Sequence, residues 1–204
     1  MGYLKCHRNF KLTYNRGKLP ESESILECFC DASFAPDKDR KSITGYAIYY
    51  NGNLIDYYTK KQPKISDSAA AAEMLALDMA VKRLNKLKSI IKDLGYCVDK
   101  THVYEDNEAV ITILNNEYFH THTPLDITYK ALQEKLNKEF TISYIRSEEN
   151  LADAFTKCLH APKFNESMSK ILERPDLNGE TFNPSKLGKI PVDANGFEIN
   201  TEGQ

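Results

Sequence analysis

Residues 25–33 read Ile-Leu-Glu-Cys-Phe-Cys-Asp-Ala-Ser, an almost wholly apolar run that ends on a carboxylate. Successive side chains of a strand point to opposite faces, so Cys28 and Cys30 share one face. Phe29 and Asp31 share the other. The pattern predicts a buried strand with an acid at its edge, where a carboxylate is held firmly enough to bind a metal ion. A turn-forming Asp that closes the strand is the structural alternative.

The length and charge of the chain limit what it can be. With 204 residues it can hold one sizeable domain with appendages, but not two large domains. The formal net charge of −2 argues against a protein that coats nucleic acid through its overall field. Any nucleic-acid binding must therefore come from local patches.

The cysteines and the apolar runs indicate the compartment. The five cysteines are odd in number, and the spacing of Cys28 and Cys30 suits neither a zinc site nor a redox motif, so we expect reduced thiols. No apolar run is long enough to span a bilayer, and the amino terminus lacks the apolar segment of a signal peptide. We expect a protein of the cytoplasm, with the nucleus as the alternative, and no membrane contact.

The order of periodic segments predicts the fold class. Strand patterns come first, and the second and third form a hairpin turned by Asn51-Gly52-Asn53. Helical and strand patterns then alternate, and Ser66, Asp67 or Ser68 can cap the first helix. The predicted strands are 25–33, 45–50, 54–60, 102–104 and 141–145, and the predicted helices are 68–91, 109–114, 125–136 and one that opens at 150 with Asn150 as its N-cap. This is an α/β domain with a mixed five-stranded sheet, three antiparallel strands first, and helices on both faces.

Three further acids lie where such a fold can bring them to Asp31. Glu73 lies among alanines in the first helix, where it needs a partner or is an ordinary first-turn acid. Asp106 lies where a strand becomes a helix, although Asp106 or Asn107 would also serve as an N-cap. Asp153 falls in the first turn of the last helix, where the helix dipole favours an acid in any case.

Together, the four acids make a metal site plausible. Carboxylates suit hard divalent cations, and two such ions bridged by shared carboxylates perform phosphoryl chemistry. The basic residues Lys82, Arg83 and Lys86 on the first helix form either a solvated face or a ridge that contacts phosphates.

Five motifs resemble the ribonuclease H domain of copia-type LTR-retrotransposon Pol polyproteins. They are CDAS (30–33), KSITGY (41–46), KKQP (60–63), AEMLAL (72–77) and NLADAFTK (150–157). The resemblance covers residues 25–172 and implies a ribonuclease H-like domain there. Residues 1–24 resemble the end of the reverse transcriptase thumb and its connection, and residues 173–204, rich in Pro, Gly and Asn, are expected to be a flexible tail.

The resemblance implies the following function and site. Asp31, Glu73, Asp106 and Asp153 would bind two Mg²⁺ ions, with Mn²⁺ as a substitute, and the domain would hydrolyse the RNA strand of an RNA:DNA hybrid during reverse transcription. The partners would be the hybrid and a reverse transcriptase domain, in cis or in trans, inside a virus-like particle if the element is active. The candidate nucleic-acid contacts are Ser33, Lys60, Lys61, Asn107, Lys82, Arg83 and Lys86.

The chain departs from the family pattern at three places. Ala71 replaces a second helix Glu, Cys158 follows Lys157 where the family has Pro, and 123–125 reads Thr-Pro-Leu where the family has Lys-His-Ile. If that histidine assists catalysis, His120 or His122 would have to replace it. The alternative function is a catalytically idle or domesticated ribonuclease H-like module that tethers nucleic acid. The sequence leaves the oligomeric state open.

Overall fold

A five-stranded mixed sheet is the framework of the domain. In this computed structural model, residues 24–116 and 126–172 are described, together with Leu12 and Tyr14. The strands are β1 (Ile25–Ser33), β2 (Ile43–Tyr50), β3 (Asn53–Lys61), β4 (Lys100–Glu105) and β5 (Thr141–Tyr144). Their order is β3-β2-β1-β4-β5, with antiparallel pairing from β1 to β3 and parallel pairing of β4 with β1 and β5. The predicted architecture is confirmed.

Helices cover both faces of this sheet, as predicted. They are α1 (Ala69–Asp93), α2 (Glu108–Asn115), α3 (Asp126–Lys135), α4 (Asp153–Thr156) and α5 (Ala161–Ile171). Apolar residues of α1, α2 and α3 share one core with Leu26, Cys28 and Cys30. Residues of α4 and α5 pack with Phe29 on the opposite face. The central strand β1 therefore contributes to two cores, which explains its nearly continuous apolar sequence.

The β2–β3 hairpin follows from its turn residues. Asn51 and Gly52 both have positive φ, at 49° and 77°. Two such residues make the tight turn whose twist matches paired strands, and Asn and Gly adopt this backbone at the lowest cost. Asn53, which we assigned to the turn, instead begins β3, since it pairs with Tyr50.

Helix α1 begins as its sequence predicts. Ser68 is the N-cap, and its side chain accepts a hydrogen bond from the Ala71 amide. Glu73 lies beyond the first turn, so the interpretation of Glu73 as a first-turn acid favoured by the dipole was wrong. Its neighbours Ala72 and Ala76 are fully buried, which lets the helix lie close to the sheet.

Three features of the carboxyl-terminal half differ from the prediction. Helix α5 was not predicted. Helix α4 is a single turn whose N-cap position is held by Ala152, so the expectation that Asn150 caps it was wrong. Ile127, an apolar residue of the predicted helix 125–136 that we expected to help form its apolar side, is 81% exposed.

Some predictions concern residues outside the described ranges. The thumb-like character of 1–24 falls almost wholly outside them, and the flexible tail at 173–204 and the auxiliary roles of His120 and His122 do so entirely. Within the described ranges, no helix combines the length and the apolar character needed to cross a bilayer.

Candidate metal centre

The four predicted acids converge at one edge of the sheet. Asp31 lies near the end of β1, and Asp106 directly follows β4. These two strands are parallel neighbours, with Phe29 paired to Tyr104, so their carboxyl ends meet. Glu73 reaches this edge from α1, and Asp153 reaches it from α4 on the other face.

Carboxylate oxygens form two groups that share Asp106. Oxygens of Asp31, Asp106 and Asp153 lie within 4.8 Å of one another, and so do oxygens of Glu73, Glu105 and Asp106. Glu105 was not among the predicted site residues. A signal was present in the sequence, because Glu105 lies two residues after the apolar Val103 and therefore shares its face of β4.

Burial dominates the electrostatics of the site. Asp31 is 1% exposed, and Glu73, Glu105 and Asp153 are also buried. Burial raises the pKa of the Asp31 carboxyl, an effect that the Lys157 ammonium partly opposes. Burial likewise raises the pKa values of Glu73 and Glu105, and neighbouring carboxylates raise them further. The site thus concentrates acids whose negative charge needs a cation.

Two lysines supply part of the missing positive charge. Lys157 Nζ lies 3.3 Å from Asp31 Oδ1 and also contacts Asp153 Oδ1. Lys163 Nζ lies 3.4 Å from the other Asp153 oxygen. Neither lysine was singled out from the sequence as part of a site. Both lysines therefore contact the group formed by Asp31, Asp106 and Asp153, through Asp31 and Asp153.

Hydrogen bonds hold several of the acids and their supporting segments in place. The Thr156 hydroxyl donates to Asp31 Oδ2, and Ser147 Oγ donates to Asp106 Oδ2 at 2.7 Å. Asn150 Nδ2 donates to the Cys30 carbonyl at 2.9 Å, while its Oδ1 accepts from the Ala152 amide. Asn150 therefore connects the turn before α4 to the central strand β1 through hydrogen bonds. These two bonds explain why an asparagine is found at residue 150.

The residues present fit a divalent metal. All the candidate ligands are carboxylate oxygens, the type that Mg²⁺ and Mn²⁺ prefer. Glu73 Oε2 is buried and has no hydrogen-bond partner within the described part of the chain. A buried carboxylate oxygen without a donor is costly unless a cation binds it.

Three of the acids line a cleft of about 580 Å³, whereas Asp153 and Glu105 are not among its lining residues. Besides Asp31, Glu73 and Asp106, its lining comprises Asn107, Glu108, Ala109, Tyr144 and Lys157. The carboxylates thus face a space that a substrate can enter.

The predicted nucleic-acid contacts are scattered. Asn107 lines the cleft and caps α2, while Ser33 ends β1 and Lys60 lies exposed on β3. Lys61 is paired with Asp37 at 2.6 Å and with Asp39 at 3.0 Å.

The basic residues of α1 lie away from the acids. Lys82 is paired with Asp78 at 2.6 Å, Arg83 is paired with Asp56, and Lys86 is exposed. At a rise of about 1.5 Å per residue, these three side chains start roughly 14–20 Å along α1 from Glu73. The structure therefore does not bring them to the cleft.

Replacing Lys157 with methionine is expected to destabilise the metal-free protein by about 1–3 kcal/mol. The substitution leaves two buried carboxylates without their shared cation, and the range is reduced for solvent screening because the Lys157 side chain is 38% exposed. Urea unfolding in EDTA measures the effect. Lys170→Met, which breaks an exposed pair with Glu166, is the matched control and should change stability by less than about 0.5 kcal/mol. Equal stability of the two variants would contradict the assigned role of Lys157.

Comparisons with known proteins place the chain among retroelement sequences. The Pol polyprotein from transposon TNT 1-94 of Nicotiana tabacum is 32% identical over 146 residues, which cover 70% of this chain and 11% of that protein. The Pol polyprotein from transposon RE1 of Arabidopsis thaliana is 27% identical over 150 residues, which cover 72% of this chain and 10% of that protein. The chain thus spans about a tenth of the length of these relatives. No family model matches it.

Solved structures with little sequence identity to this chain share its fold. The crystal structure of LC11-RNase H1 in complex with an RNA/DNA hybrid aligns with a TM-score of 0.51, at 15% identity, over 66% of this chain and 94% of that one. At that identity the likeness concerns the fold alone.

Proposed function

We propose that this chain, a ribonuclease H-fold domain related to the Pol polyproteins of copia-type retrotransposons, hydrolyses the RNA strand of RNA:DNA hybrids during reverse transcription. The resemblance drawn from the motifs and the predicted fold are both confirmed by the comparisons. The observation that carries the proposed activity is the pair of carboxylate groups that share Asp106 at the cleft.

Asp31, Glu73, Asp106 and Asp153 would hold two divalent ions, Mg²⁺ or in its place Mn²⁺. When bound, such ions lower the pKa of water and stabilise charge on a phosphoryl group. The protein's own part is to fix the ligands before substrate arrives. Thr156 orients Asp31, and Ser147 orients Asp106, so the carboxylates are held at the open end of the sheet.

The cleft offers polar and aromatic groups for the substrate backbone. Asn107 and the partly exposed Tyr144 lie beside the acids, and Lys157 adds a positive charge. In this proposal, the RNA strand is selected through its 2′-hydroxyl groups along the minor groove rather than by base sequence. Ser33, Lys60, Lys61, Lys82, Arg83 and Lys86 would act only on longer hybrids that extend past the cleft.

A neighbouring reverse transcriptase domain, in cis or in trans, would supply much of the substrate affinity. The chain's net charge of −2 gives it little overall attraction for a hybrid, and two of the candidate contacts, Lys61 and Arg83, are paired with acids. Tethering two modules converts weak binding into intramolecular binding at high effective concentration. We place this activity in the cytoplasm, within a virus-like particle if the element is active, with the nucleus as the alternative.

The test is cleavage of a labelled RNA:DNA hybrid by the purified chain in Mg²⁺ and in Mn²⁺. Duplex DNA and duplex RNA of the same sequence serve as substrate controls. Cleavage of the hybrid alone supports the proposal. Binding of the hybrid without cleavage, even after a reverse transcriptase domain is added, would overturn it and favour an idle tethering module.

A further inference from the structure

Glu105 lies beneath the centre on the α1 side of the sheet. Val103, two residues earlier on β4, belongs to the core that α1 covers, whereas Tyr104 belongs to the core on the opposite face. Glu105 therefore faces α1 and Glu73, and it is 0% exposed. A glutamate without exposure in this position is rare unless a cation or a donor network compensates for its charge.

The donors around Glu105 are weak for a buried charge. Its Oε1 accepts a hydrogen bond from the Asn107 amide at 3.1 Å, and its Oε2 accepts from the Cys30 thiol at 3.3 Å. Both donors are neutral, and a thiol is a poor donor. These contacts orient the carboxylate without neutralising it.

The positive charge of the protein is distributed unevenly over the two carboxylate groups. Lys157 and Lys163 contact Asp31 and Asp153. Among the ion pairs of residues 24–116 and 126–172, none involves Glu73, Glu105 or Asp106. In addition, Glu73 Oε2 is buried without a partner. The second carboxylate group is therefore the one that lacks a cation.

We propose that Glu105 is a fifth metal-binding carboxylate, which with Glu73 and Asp106 forms a three-carboxylate subsite for a divalent cation on the α1 side of the centre. That the cation is a divalent ion such as Mg²⁺ or Mn²⁺ rests on the proposed function. Glu105 is a ligand in addition to the four acids that the sequence resemblance implied. Three carboxylates at one position carry more charge than two and bind a divalent ion more tightly.

The competing interpretation gives Glu105 a structural duty only. In that case it serves as the acceptor that fixes the Asn107 amide at the start of α2. Glu105→Gln separates the two roles, because it keeps the size and the Oε1 acceptor while removing the charge. Glu108→Gln is the matched control, since Glu108 lines the same cleft but is exposed.

The experiment is Mn²⁺ titration of the full chain by calorimetry at one pH, without nucleic acid, combined with thermal unfolding in EDTA. For Glu105→Gln we expect at least a tenfold weaker Mn²⁺ site, equivalent to about 1.4 kcal/mol. We also expect a Tm raised by about 2–4 °C in EDTA, because the repulsion among buried carboxylates is relieved. Glu108→Gln should change the Mn²⁺ affinity less than twofold.

An unchanged Mn²⁺ affinity in folded Glu105→Gln would overturn the proposal and leave Glu105 as a structural acceptor. If the glutamine variant does not fold, Glu105→Met, of similar volume and without charge, is titrated instead and judged by the same criterion. Because the titration uses no hybrid, its result is separate from the cleavage assay. Weakened Mn²⁺ binding by Glu105→Gln would support the subsite even if the wild-type chain binds the hybrid without cleaving it after a reverse transcriptase domain is added, an outcome that rejects only the nuclease.

Discussion

Replacing Asp31 with asparagine is expected to lower hybrid cleavage by at least about 10³-fold, a loss of roughly 4 kcal/mol of transition-state stabilisation. Asp31 lies in the group with Asp106 and Asp153, and its other neighbours, Thr156 and Lys157, are arranged around its charge. Asparagine preserves the shape but is a weaker ligand for a hard cation. The chain should remain folded because one buried negative charge is removed from a crowded set.

The measurement is single-turnover cleavage of a labelled hybrid in saturating Mg²⁺, with circular dichroism to verify the fold. Asp93→Asn is the matched control, because Asp93 is exposed at the far end of α1. Cleavage by Asp31→Asn within tenfold of the unmodified chain would show that the centre does not perform the reaction.

Replacing Gly45 with alanine is expected to lower cleavage by about 10²-fold, although Gly45 is not among the residues that line the cleft. Gly45 pairs with Asp31 across β1 and β2. A Cβ atom at Gly45 would lie 2.5 Å from Thr156 Cγ2 and 3.0 Å from Phe155 Cβ, so α4 would have to move away from the sheet. That movement displaces Asp153 and Lys157 with it, and a displacement of about 1 Å at a catalytic group can cost roughly 10²-fold.

The same substitution should destabilise the fold by about 1–3 kcal/mol through overpacking. Gly95→Ala is the control that separates stability from activity. Gly95 has φ of +85° and nothing within 4 Å of an added Cβ, so alanine there strains the backbone far from the centre. Urea unfolding and cleavage rates are measured for both variants. Equal cleavage rates for the two would contradict the role of Gly45 in positioning α4.

The strands and helices that carry the four acids could be predicted from the sequence, because hydrophobic periodicity and the order of the segments indicate them. The alternation around Asp31 assigned the faces of β1 correctly, and Glu73, Asp106 and Asp153 do arrive at one sheet edge. Their roles as metal ligands remain predictions, as do the nucleic-acid contacts.

The features that were missed depend on tertiary packing. Alternation with Val103 indicates which face of β4 Glu105 shares, but the burial of Glu105 depends on the parallel register of β4 with β1 and on the approach of α1, neither of which a local pattern specifies. The contact of Lys157 with Asp31 spans 126 residues of chain. The pairing of Arg83 with Asp56 likewise joins a helix to a strand that only the folded sheet brings near.

Labelling of the two thiols of β1 by a thiol reagent can measure how often the structure around the metal centre opens. Cys28 and Cys30 are completely buried on the strand that carries Asp31, and burial raises the pKa of both thiols. Because the thiolate is the reactive form, a thiol reagent modifies them only when the core between this strand and α1 opens, whereas the exposed Cys97 and Cys158 react in the native chain. The slow phase of labelling therefore reports how often the core over the central strand opens. A divalent cation that binds only the closed centre will slow that phase in proportion to its occupancy.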